Sequence, residues 1–86
     1  MPDLAAVIRH FPRHELTIRR LYLRMPEFRS LCEDYVAARC ALERWRADEG
    51  KVRDFQQLTE EIETEIEEFI QGALKALRQQ HPQEKT

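Results

Sequence analysis

Glycine is almost missing from this sequence, with two residues in 86. A chain so poor in glycine has no Gly-rich loop to cradle a phosphate. Aromatic residues make up 8% and Thr, Val and Ile are sparse, which argues against a sheet protein. Serine occurs once, at Ser30, with no base placed beside it by any motif, and no Ser, Cys or Thr nucleophile is positioned by sequence. An enzyme is therefore not expected, and no catalytic residue or cofactor is assigned. No stretch approaches the roughly 20 apolar residues of a membrane span. The longest early apolar run, residues 4–8, follows the acidic Asp3, so no secretory leader is expected either.

Cysteine is scarce as well. Cys32 and Cys40 lie eight residues apart on one predicted helix, about 12 Å along its axis, too far to bridge each other. Two reduced thiols and a cytoplasmic location are the expectation. His10 and His14 have the i, i+4 spacing of a helical metal pair, but Pro12 stands between them. No Glu-x-x-His or Cys-x-x-Cys completes a set, and His81 sits in a polar tail, so no metal site is expected.

What the chain has in quantity is charge and helix formers: 35% charged residues beside 42% hydrophobic ones, with Ala, Leu, Glu, Arg and Gln dominant. This is the composition of long amphipathic helices, and it predicts an all-α fold in a single domain. A domain this short buries only roughly 60 to 65% of the surface of its unfolded chain, so the core is thin. The net charge of −2 is unevenly spread. Residues 1–30 hold six Arg against three acids, whereas residues 51–86 hold five Lys or Arg against eight acids. The basic start and the acidic end should attract each other.

Phe28, Leu31, Tyr35, Ala38, Leu42 and Trp45 recur at steps of three and four, the spacing of a heptad seam. The helix carrying them should run from about Pro26 to Asp48, with Gly50 closing it in a left-handed conformation. Val52, Phe55, Leu58, Ile62, Ile66, Phe69, Ala73 and Leu77 mark a second long helix over residues 51–79. So short a connection forces an antiparallel hairpin. The apolar positions then pair at a constant sum of 100: Trp45 with Phe55, Leu42 with Leu58, Ala38 with Ile62, Leu31 with Phe69, and Phe28 over Gly72. Tyr35 faces Glu65 and Ile66, and the same register sets Arg46 against Asp54 and Arg39 against Glu61. Trp45 is thus expected in the core, where truncation to Ala would cost several kcal/mol.

Before the hairpin, Leu4, Val7, Ile8 and Phe11 describe a short first helix with Asp3 at its cap. Pro12 opens a second segment with Ile18, Leu21, Tyr22 and Met25 on one face. Met25, preceding Pro26, should leave helical geometry. Residues 1–25 thus form an N-terminal helical segment, 26–79 the hairpin and 80–86 a frayed tail. The N-terminal segment is the nearest cover for Leu74 and Leu77.

The order Phe11-Pro12, Ile18, Leu21, Phe28, Leu31, Tyr35, Leu42, Arg44 and then Glu65-Ile66 in a Glu-rich helix resembles the YdcH-like family of short bacterial proteins over residues 11–70. The resemblance implies a small helical hairpin whose molecular function is not established, and brings no catalytic or binding residues. The chain departs from the family where Met25 stands in place of a capping Asp, and in the short loop at Gly50.

The functional expectation is a non-enzymatic module that acts by protein–protein contact, first with copies of itself and then with a further protein partner. Val36, Ile70 and Leu74, flanking the seam, are the candidate interface. The alternative is a small accessory nucleic-acid binder using Arg9, Arg13, Arg20 and Arg24, although a pI of 5.9 is low for such a role. A membrane-surface helix over residues 4–23 would need the face that covers Leu74 and Leu77. The run Glu60, Glu61, Glu63, Glu65, Glu67 and Glu68 is expected to be a solvated face, with Glu60, Glu63 and Glu67 pointing away from the apolar stripe.

Overall fold

A computed structural model describes residues 4–79; the expectations of an Asp3 cap and of fraying over residues 80–86 lie outside that range. Among the described residues every regular element is helical. Helix α1, Ala5–His10, ends at Phe11, whose backbone (φ −125°, ψ 63°) leaves helical geometry. Pro12–His14 forms one 3-10 turn, with Pro at the first position, where its missing N–H costs nothing. Helix α2, Glu15–Arg24, follows at once, and Arg19 binds the Glu15 carboxylate one turn back at 2.9 Å. Met25 is extended (φ −120°, ψ 109°), as a residue before proline prefers, and α3 runs from there as Pro26–Arg44. Arg29 clamps this corner. Its guanidinium donates to the Tyr22 carbonyl at 3.2 Å and lies 5.4 Å over the Tyr22 ring.

The hairpin reverses earlier than the sequence suggested. Helix α3 stops at Arg44, and Trp45 to Asp48 make the turn, closed by a hydrogen bond from the Asp48 N–H to the Trp45 carbonyl at 2.9 Å. The Asp48 carboxylate then accepts from the Lys51 N–H at 3.1 Å. Asp48 is thus the cap of α4, Glu49–Gln79, and satisfies one of the donors that a helix start leaves free. Gly50 does not close α3. It sits in the first turn of α4, and no described residue has a positive φ.

An earlier turn lowers the register. Phe28 packs edge to face on Phe69, with ring centres 5.6 Å apart, and the Tyr35 hydroxyl reaches Glu63, pairs that sum to 97 and 98 in place of 100. Phe28 therefore does not rest on Gly72. A Cβ added at Gly72 would meet nothing within 4 Å, so that glycine has no packing role. The expected cross-helix ion pairs are replaced too: Arg46 reaches Glu43 at 3.6 Å, and Arg39 lies 5.9 Å over the Tyr35 ring.

The buried stripes are also turned from the expected ones. On α3 they are Phe28, Cys32, Tyr35 and Ala38, and on α4 Thr59, Ile62, Ile66 and Ile70. Leu31 and Phe69 are half-buried beside them. The cause is the N-terminal segment, whose Val7, Ile18 and Leu21 join the same core and close one flank of the hairpin. Residues facing that flank become the centre of the core, and the opposite flank is left in water. Ile70 is wholly buried by this shift and cannot serve as an interface in the folded chain. At the turn end the described residues leave the hairpin largely open, so Trp45 and Leu58 are each 41% exposed and neither is a core residue.

These placements set the stability of three variants. Ile66→Ala should lose about 2 to 5 kcal/mol in urea unfolding, as large-to-small changes in a core do. Trp45→Ala should lose less, about 1 to 2 kcal/mol, from the covered part of a ring that is 41% exposed and from the cation–π contact that Lys51 makes at 5.0 Å. Gly72→Ala should gain up to about 1 kcal/mol from helix propensity, since the added methyl enters open space.

Candidate functional site

Three surface features follow from this packing. Helix α1 lies over the middle of the hairpin and brings His10 to Glu63, Nε2 to Oε1 at 3.4 Å. The other carboxylate oxygen accepts from the Tyr35 hydroxyl at 2.8 Å. The His10 ring also stands edge-on to Phe11, 4.7 Å away. Glu63 is therefore not on the solvated face; its side chain is only 19% exposed and joins α1, α3 and α4 at one carboxylate. A buried Tyr hydroxyl needs a polar partner, and that requirement at Tyr35 was the one signal in the sequence that could have located Glu63. Burial, and then the hydrogen bond to Glu63, push the Tyr35 hydroxyl up to about 12. The cluster holds one carboxylate and one imidazole beside a neutral phenol, which suits a structural latch between elements. Among the described residues no group of three or more His, Cys, Asp or Glu converges as a metal site would require.

Toward the turn, a groove opens between α1 and the hairpin. Arg9, Arg39 and Arg46 edge it, while Val36, Leu42 and Val52 supply its apolar wall. Cys40 lies exposed in the same groove, whereas Cys32 is buried and its thiol is pushed up to about 12 by burial, with the neighbouring Glu33 adding to the shift. At the opposite end α2 crosses α4. One side of the crossing carries Arg20, Leu74 and Leu77, with Leu77 still 45% exposed. The other carries Met25, Glu65, Glu68, Phe69 and Gly72, and Arg24 reaches both sides.

The four arginines weighed as phosphate contacts are consequently not in one row. Arg9 edges the groove near the turn, Arg20 and Arg24 edge the far crossing, and Arg13 projects from the 3-10 turn between them. Of the three apolar interface candidates, Val36 and Leu74 lie half-buried in two different grooves and Ile70 is in the core. Among the described residues no helix is long and apolar enough to cross a membrane. Comparison of the chain with protein-family models, with curated proteins and with solved structures found no match.

Two measurements check this description. Cys32 and Tyr35 are held neutral by the fold, so the stability they contribute is complete below their ordinary values, 9 for Cys32 and 10 for Tyr35. It is lost as the pH climbs toward 12. Thermal unfolding should show that alkaline fall, and Tyr35→Phe should cost about 1 to 2 kcal/mol at neutral pH while flattening the part between pH 10 and 12. In the folded protein a thiol-specific chromogenic disulfide should label Cys40 promptly and Cys32 only at the rate of unfolding.

Proposed function

We propose that this chain is a non-enzymatic helical-hairpin module that acts by protein–protein contact, with copies of itself and with a further protein, in the cytoplasm. One observation carries the reading. Beyond Ala38 on α3, no residue of the hairpin's turn end is buried until Thr59 on α4, although that end holds Leu42, Trp45, Val52, Phe55 and Leu58. Five large apolar side chains left half-buried or exposed at one end of a 59 Å molecule make a surface of the kind that partners cover. Elsewhere Leu16, Leu23 and Leu77 add to the uncovered apolar surface.

Other features agree with this reading. The buried polar cluster at Glu63 is spent on holding elements together and leaves no activated nucleophile. The unbridged thiols of Cys32 and Cys40 suit a reducing compartment. The resemblance to the YdcH-like family points the same way, since it concerns apolar core positions of a hairpin and no reacting group. Self-association is also a usual remedy for a core as small as this one. Static light scattering on dilution through the micromolar range should give a mass above the monomer's 10.3 kDa that falls as the protein is diluted. A constant 10.3 kDa up to about 100 µM, far above a micromolar dissociation constant, would remove self-contact from the reading.

A further inference from the structure

We infer that the open groove where α2 crosses α4 is the surface on which two copies of this chain pair, as a two-fold dimer. This deepens the proposed function and rests on its self-association. The groove has an apolar floor of Leu21, Met25, Phe69 and Ala73. Its charges are segregated along α4. Glu65 and Glu68 precede Gly72 on α4, nearer the turn, and Arg24, at the end of α2, lines both sides of the crossing together with Ala73 and Ala76. Among the described residues no ion pair joins Arg24 to either glutamate within the chain.

Such a patch is complementary to itself. In a two-fold dimer the same surface meets its own copy turned end for end, so each charged end faces the opposite charge. With the axis passing near Gly72, position 68 of one α4 lies opposite position 76 of the other. Glu68 of one copy then meets Arg24 of its partner, and the reverse contact forms with it. The occupant is thereby fixed as a second copy, because one surface supplies both signs in the order that an antiparallel pairing needs.

Gly72 completes the fit. It is exposed, and the place of its missing Cβ is empty, so the helix presents bare backbone there to an approaching helix. Inside its own chain this glycine has no packing partner, and it weakens the helix. Close approach of a second α4 gives it one.

Sedimentation velocity on the full chain tests the pairing, with circular dichroism to confirm helical content. The wild type should form a species of twice the monomer mass. Arg24→Glu and Glu68→Arg should each weaken that dimer by at least about tenfold, since each reversal meets like charge twice, and the double variant Arg24→Glu/Glu68→Arg should recover it. Gly72→Leu should abolish the dimer while leaving the monomer folded, and raising salt should weaken the wild-type dimer. A dimer indifferent to all four variants would overturn this surface and leave self-association standing. A wild type monomeric at every concentration would overturn both.

Discussion

A layer of two helices has no interior, because each covers one stripe of the other and both flanks stay in water. In this protein one flank is closed by the N-terminal quarter, where Val7, Ile18 and Leu21 enter the same core as Phe28, Tyr35, Ile66 and Ile70. Every other feature follows from which flank that is. The buried stripe of α4 rotates to Thr59 and Ile70, the neighbouring Leu58 is turned outward, and Glu63 is drawn under α1 into contact with His10 and Tyr35.

The same closure explains the uneven distribution of surface chemistry. The N-terminal segment is short, with six residues in α1 and ten in α2, against 31 in α4. Among the described residues it covers the middle and the far end of the hairpin, and toward the turn only Ala6 and Arg9 of α1 edge the groove. Apolar residues near the turn are therefore only partly covered by the described residues, and the elements that do cross leave open grooves at their edges. The basic excess of the first 30 residues lies over the hairpin, but it is spread between two grooves and a 3-10 turn. General attraction between a basic start and an acidic helix does not require specific pairs, and among the described residues the polar side-chain contact between the two is that of His10 with Glu63, at 3.4 Å.

Local rules located the proline-marked boundaries well. Pro12 and Pro26 constrain the backbone through the ring and the residue before it, and the extended Met25 and the start of α3 stand where those constraints put them. The end of α3 was misplaced because two stop signals compete within a few residues. Gly50 is compatible with a left-handed closure, but Asp48 captures a backbone donor of the next helix and ends the turn first. Glu63 was misassigned for a different reason: in a heptad drawing it points away from the seam, and nothing local says that a third element will cover that side.

Sequence alone determined that this chain is helical, that it folds back on itself once after the long seam helix, and that Phe28, Tyr35, Ile62 and Ile66 lie inward. Those properties depend on residue preference and on spacing along a single helix, both of which are local. Tertiary structure alone decided the register of 97 to 98, the exposure of Trp45, the burial of Ile70 and the carboxylate shared by His10 and Tyr35. Those depend on where a third element rests on the hairpin. Two helices joined by a turn can be covered on either flank, and only packing the whole chain at once chooses between them.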